Sequence, residues 1–151
     1  MSNGYKNDMS IDEMVMIALV RVAEGFKKNQ AAVFKKWGLT FSQYNLLRVL
    51  DASANGQNTM KNVNRIMLVS SANMTGIAKR LEKSEFIIRT SDPSDDRIKW
   101  MQITKEGTQV LKAIAKYKEQ DLITYLMQYS HKEKSELLKT LQAILRKARS
   151  K

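Results

Sequence analysis

The 151-residue sequence has no cysteine, one proline, one histidine and six glycines. The absence of cysteine excludes a disulfide framework, thiolate zinc sites, iron–sulfur clusters and any thiol nucleophile or thiol switch. So few glycines and prolines exclude collagen-like and low-complexity chains. His131 has no second histidine or cysteine with which to build a zinc site. No run approaches the roughly 20 apolar residues of a membrane span, so no membrane partner is expected. The polar start, Met1 to Asp8, lacks the apolar centre of a signal peptide, so a cytoplasmic chain with a frayed N-terminus is expected. Nucleophile-elbow, P-loop and dinucleotide glycine patterns are also missing, and neither an enzyme nor a cofactor is expected. Asp92, Asp95 and Asp96 lack the alternating ligands, central glycine and terminal glutamate of a calcium loop. Turn chemistry accounts for them, and no metal site is expected.

What is abundant is positive charge. Lys and Arg number 26 against 15 Asp and Glu, a net charge of +11. The excess grows along the chain, from +2 over residues 1–57 to +4 over 58–105 and +5 over 106–151. Such a balance favours a polyanionic partner, although solubility alone also accounts for it. Apolar residues make up 43%, enough for a packed core. The length suits one compact domain or two short lobes.

Helical periodicity starts at Ser10, where Ser10 and Glu13 have capping-box spacing. Ile11, Met14, Val15, Ala18, Leu19, Val22, Phe26, Val33, Phe34 and Trp37 follow at three- and four-residue steps. They predict one helix of about seven turns, ended by Gly38. It is longer than a small core covers, which suggests packing on another chain as well. Thr40 and Gln43 open a second helix, carrying Phe41, Tyr44, Leu47, Val49 and Leu50, and Ala52 to Gln57 reads as a loop. Thr59 caps a short third helix bearing Met60, Val63, Ile66 and Met67. After a break at Val69-Ser70-Ser71, a fourth helix over 71–83 turns Met74, Ile77, Ala78 and Leu81 inward. Phe86 to Thr90 and Ile98 to Thr104 predict two strands around the turn formers Ser91 to Asp96. Thr104 caps the next helix, with Gly107 in its first turn. The tail carries Val110, Leu111, Ile114, Tyr117, Leu122, Tyr125, Leu126 and Tyr129 on one stripe. A third capping box at Ser130 and Glu133 then opens a last helix with Leu137, Leu138, Leu141, Ile144, Leu145 and Ala148.

Two helices joined by a tight turn and followed by a hairpin predict a winged helix-turn-helix. The class is mainly α with a small β-hairpin wing, the lobe spanning residues 39–104 between helices at 10–37 and 105–149. The fourth helix can enter a major groove about 12 Å wide. Ser71, Ala72, Asn73, Thr75, Gly76, Lys79, Arg80 and Lys83 lie off its apolar stripe. Asn73 suits adenine, Thr75 a base edge, Ala72 a thymine methyl, and Lys79 and Lys83 the phosphates. Ser70, Arg80 and Lys99 complete the candidate contacts. An ordinary solvated helix face is the competing reading. Gly76 costs about 1 kcal/mol in mid-helix relative to alanine, and tight packing is the favoured compensation over close approach of DNA.

These residues resemble the MarR (multiple antibiotic resistance regulator) family. The likeness lies in Gly38-Leu39-Thr40, in Leu68 to Thr75 followed by Arg80-Leu81-Glu82-Lys83, and in the wing string Asp92-Pro93-x-Asp95-x-Arg97 followed by Ile103-Thr104-x-x-Gly107. It covers roughly residues 11–149. The resemblance implies a homodimer built from the first helix and the last two, regulation of transcription on double-stranded DNA, and most commonly repression. It implies that Arg97 reaches the minor groove or its phosphates, braced by Asp95. It also implies a small aromatic effector, for which Met14, Phe26, Trp37, Tyr44 and Arg48 are candidate liners, with a place in the core as the other reading of each. The missing cysteine excludes the family's peroxide-sensing thiol branch, leaving methionine oxidation across nine Met.

Three departures carry expectations of their own. Ser84-Glu85 stands where the family usually has a glycine, so Glu85 is expected either to strain that turn or to shift the first wing strand. Trp100 is expected to pack against the helical core. Asp92 and Asp96 are expected to weaken phosphate affinity near the wing tip. The alternative function is a sequence-neutral nucleic-acid-packing protein using the same lobe. A third is a scaffold that binds an acidic protein through Lys147 and Arg149.

Overall fold

A computed structural model describes residues 8–150, and the side chains of all of these except 118–124. The polar start before Asp8 and the tail-stripe residue Leu122 lie outside the described residues. Helices run over Ile11–Lys35 (α1), Phe41–Asp51 (α2), Met60–Met67 (α3), Ser71–Lys83 (α4), Lys105–Leu126 (α5) and His131–Arg149 (α6). Strands are Gln57–Thr59 (β1), Ile87–Ser91 (β2) and Lys99–Ile103 (β3). The chain divides into two compact units, one ending at Phe41 and the other beginning at Ser42.

In the first unit, the Ser10 hydroxyl accepts from the Glu13 N–H at 3.2 Å and starts α1. Asp12 and Glu13 in the first turn and Lys35 in the last suit the helix dipole. Beyond the end of the helix Gly38 takes φ +68°, and the Leu39 N–H returns to the Phe34 carbonyl at 3.1 Å. Of the long apolar stripe only Val33 and Phe34 are buried. Phe41 closes over this end, its ring 6.0 Å from Phe26 edge-on and 5.9 Å from Phe34. Ile11, Val15, Met16, Val20 and Val22 remain exposed on the surface of the chain.

In the second unit, Leu46, Leu47, Leu50, Val63, Met74, Ala78, Leu81, Ile87, Met101, Leu111 and Ile114 are all buried. Each of these except Ala78 contributes about 1.5–3 kcal/mol on leaving water, before entropy is charged. The three strands form an antiparallel sheet in the order β1-β3-β2. This corrects two expectations. Residues 52–57 are not simply a loop, because they contain a 3-10 turn at Ala54–Gly56 and the start of β1. The wing is not a lone hairpin either, since Asn58 pairs with Met101 while Met101 pairs with Arg89. Gln57-Asn58-Thr59 has no apolar alternation to announce a strand, and β3 supplies its reason for being extended.

Three hydroxyls cap the helices that follow. Thr59 accepts from the Asn62 N–H at 3.2 Å, Ser70 from Asn73 at 3.3 Å, and Thr104 from Gly107 at 3.0 Å. Thr104 also donates to the Glu85 carbonyl at 2.7 Å, docking the start of α5 on the entry to β2. Gly107 is buried there, and a Cβ on it would collide with the Phe86 carbonyl oxygen and lie 2.8 Å from Ile103. At α6 the capping box is complete, with the Ser130 N–H on Glu133 at 2.7 Å and the Glu133 N–H on Ser130 at 3.3 Å. On α5 Leu111 and Ile114 are buried, whereas Tyr117, Tyr125, Leu126 and Tyr129 of the same stripe are exposed. On α6 the stripe residues Leu137, Leu138 and Leu145 are exposed as well. Among the described residues no helix is long and apolar enough to cross a membrane.

Candidate nucleic-acid interface

α3 and α4 meet through a tight turn. Leu68 adopts φ +53° as the cap of α3, and the Val69 N–H returns to the Asn64 carbonyl at 3.1 Å. The Asn64 side-chain amide donates to the Ser71 hydroxyl at 3.2 Å, fastening the two helices side to side. α4 then buries Met74, Ala78 and Leu81, a spacing of four and three residues that leaves one polar face outward. Ser71, Ala72, Asn73, Thr75, Lys79, Arg80 and Lys83 are exposed on it, and Gly76 is half-buried. Ser70 is exposed as the N-cap, and the Thr75 hydroxyl donates to the Ser71 carbonyl at 2.9 Å. A Cβ built on Gly76 would have nothing within 4 Å. Internal packing around a missing Cβ therefore does not account for this glycine, contrary to expectation, because among the described residues no atom outside its own helix backbone and chain neighbours comes within 4 Å of that position.

The wing is a small network of carboxylates. Asp95 accepts from Arg97 Nε and Nη2, each at 3.0 Å, and from the Arg97 N–H at 3.0 Å. Through this two-point contact the Asp95 carboxylate raises the Arg97 pKa and the guanidinium lowers that of Asp95. The Arg97 side chain is 91% exposed, so the brace points it into solvent. Lys99 is held by Ser91 at 2.7 Å and by Asp96 at 3.3 Å, so Asp96 is largely compensated by its own lysine. Asp92 accepts from the Ser94 hydroxyl at 2.6 Å, from the Ser94 N–H at 2.9 Å and from Trp100 Nε1 at 3.1 Å. These donors, Ser94 first, hold its carboxyl down at about 2. Trp100 thus departs from expectation. Strand alternation puts it on the sheet face opposite the buried Met101, flanked by Thr90 and Thr59, where it ties the stem of the wing to Asp92.

Arg89 was not among the sequence candidates. From β2 its Nε donates to Glu82 of α4 at 2.9 Å, with a second bond from Nη2 to the same oxygen. Arg89 lies two positions beyond the buried Ile87, and strand alternation therefore aims it at the same face. The pair lowers the Glu82 pKa and fastens the wing to the last turn of the polar helix. At the end of α4, Glu85 takes φ +61°, the strained turn that its replacement of a glycine implied.

The candidate effector residues are distributed over both units. Phe26 and Trp37 are half-buried in the first unit, where Met14 is 37% exposed. In the second, Tyr44 is half-buried, with its pKa raised by burial and opposed by Arg48. Arg48 is exposed and lies 3.8 Å from Asp51. A place in the core therefore does not hold for Met14 or Arg48. His131 is exposed, and among the described residues no group of three His, Cys, Asp or Glu side chains is disposed to hold a metal.

A helix-turn-helix with a braced basic wing and a polar, lysine-rich second helix defines a winged-helix DNA-binding protein. Comparison with known proteins leads to the same class. The MarR family model matches residues 39–99. The HTH-type transcriptional regulator YxaD of Bacillus subtilis (strain 168), itself uncharacterized, is 35% identical over 101 residues, covering 67% of this chain and 69% of its own length. Sco3205 of Streptomyces coelicolor, a MarR family regulator solved in complex with DNA, superposes with a TM-score of 0.79 at 19% identity, over 97% of this chain and 92% of that one. The organohalide-sensing regulator RdhR-CbdbA1625, solved with 2,4-dichlorophenol, gives a TM-score of 0.79 at 15% identity, over 99% of this chain and 89% of its own. The chain belongs to the MarR family of DNA-binding transcriptional regulators.

Proposed function

We propose that this regulator is a cytoplasmic homodimer that represses transcription by occupying a pseudo-palindromic operator, with half-sites about one helical turn apart. The observation that carries the reading is the outward face of α4 beside the wing. Asn73, Thr75, Lys79, Arg80 and Lys83 are exposed there, next to an arginine fixed by Asp95 yet open to solvent. In this reading Ala72, Asn73 and Thr75 meet base edges, while Ser70, Ser71, Lys79, Arg80, Lys83, Arg97 and Lys99 hold the backbone. The helices at 10–37 and 105–149 form the dimer body. The exposed apolar residues of α1 and those of α5 and α6 support that assignment, since solvated chains rarely keep such stripes uncovered. A small aromatic effector releases the operator by favouring a dimer that cannot bind it. The support for this is the dichlorophenol held by the structural relative, and a chlorinated phenol is the first compound to titrate against the protein–operator complex.

Selection from a random duplex pool at about 150 mM salt tests the reading, because weak non-specific binding falls away there. An enriched inverted repeat is expected. With that operator, Asn73→Ala is expected to lose about 1–3 kcal/mol of discrimination at one base pair. Binding at low salt without enrichment would instead identify a sequence-neutral packing protein.

A further inference from the structure

One hydrogen bond joins residues 83 positions apart. Arg149, near the end of α6, donates from Nη2 to the carbonyl oxygen of Ile66 at 2.9 Å. Ile66 lies in the last turn of α3, where carbonyls have no intrahelical donor. A guanidinium there satisfies an orphan acceptor and sets positive charge at the negative end of the helix. Arg149 is half-buried, unlike the solvent-exposed Arg97. Its Nε is buried without a hydrogen-bond partner among the described residues, and so is Asn64 Oδ1 on α3. Asn64 is the residue whose carbonyl receives the Val69 N–H and whose amide holds Ser71 of α4. The final turn of α3 is thus gripped by α6 at Ile66 and grips α4 from Asn64.

We propose that Arg149 is a positioning residue for DNA recognition. By clamping the end of α3 it fixes the turn from which α4 is presented, and it ties that turn to α6. The proposal rests on the reading of the chain as a sequence-specific dimer. A phosphate contact by Arg149 would be a different role with a different signature. A positioning residue affects the operator complex, which needs α4 in register, and leaves non-specific duplex binding and its salt dependence alone.

The test uses the full chain with Arg149→Ala and Arg149→Lys. In free protein, amide hydrogen exchange at Leu68 and Val69 is expected to quicken about tenfold in Arg149→Ala, with Leu46 and Leu47 unchanged. Arg149→Lys keeps a charged donor and is expected to restore most of the protection. If Leu46 and Leu47 also quicken, so that the alanine chain is globally loosened, Arg149→Lys alone carries the comparison and should lie between wild type and alanine. Affinity of Arg149→Ala for the selected operator should fall about tenfold, random-duplex affinity and salt slope staying as in wild type. Unchanged exchange at Leu68 and Val69 would overturn the clamp. So would equal losses on operator and random duplex with a slope reduced by about 0.9, the mark of one lost phosphate contact. Failure of the wild-type chain to select any operator would sink the functional reading, while the exchange measurement would still decide the clamp.

Discussion

Two residues are held in backbone or sequence contexts that work against local stability. Glu85 sits at φ +61°, where a Cβ crowds the following carbonyl at a cost of about 1–2 kcal/mol. Its carbonyl oxygen, which serves Thr104, survives any substitution. Glu85→Gly should therefore stabilise the chain by about 1 kcal/mol and raise Tm by about 2–4 °C in a thermal melt. Gly76 is the opposite case. Its place in α4 is open, so Gly76→Ala should gain about 1 kcal/mol of stability from helix propensity alone. The added methyl group stands on the face that meets DNA in the proposed complex, so operator affinity should fall as stability rises. Opposite signs in calorimetry and in binding would assign the glycine to close approach of the duplex. A gain in both would assign it to neither packing nor DNA.

The wing behaves as an element because its charges are spent internally. Asp92 joins the turn to Trp100, Asp95 aims Arg97, and Asp96 holds Lys99. The Asp92 carboxyl titrates at about 2 in place of the ordinary 3.8, held down by Ser94 and then Trp100. A depressed carboxyl stabilises above its ordinary value and loses that contribution as pH falls through the folded one. The wing should thus be insensitive to pH between neutrality and about 4. The indole N–H resonance of Trp100 should move with a midpoint near 2, following the protonation of Asp92. Asp92→Asn should abolish that titration, and a midpoint at 3.8 would show that the bonds from Ser94 and Trp100 to Asp92 are not formed in solution. The same element shows where sequence reading stops. The Asp95–Arg97 brace was implied by the family resemblance of the wing string, and its partners are two residues apart. The Glu82–Arg89 pair and the third strand were not legible, because each depends on a neighbour brought in by folding.

At the scale of the whole molecule, the exposed apolar stripes govern the next experiment. Val22 is 70% exposed on α1, so a charge there should change the stability of an isolated chain by no more than about 0.5 kcal/mol. In a dimer body it would instead bury an unpaired carboxylate. Val22→Glu is expected to leave the helical circular dichroism intact, halve the mass in sedimentation and abolish operator binding. An unchanged mass would remove α1 from the interface. The net charge of +11 acts at this scale too, since it speeds association with any duplex and, in the proposed reading, leaves the choice of sequence to α4.

The sequence by itself determined the helix limits, the caps at Ser10, Thr59, Thr104 and Ser130, the wing turn and the inward face of α4. Each of these is decided within about one or two turns of chain, by side chains competing for nearby backbone groups and by a 3.6-residue period. Only the tertiary structure decided the extended conformation of Gln57–Thr59, the face on which Trp100 lies, the brace between Glu82 and Arg89, and the grip of Arg149 on Ile66. Those features join groups that are remote in sequence or lie on different elements. No local propensity encodes such a pairing, because its free energy exists only once the fold has brought the two partners together.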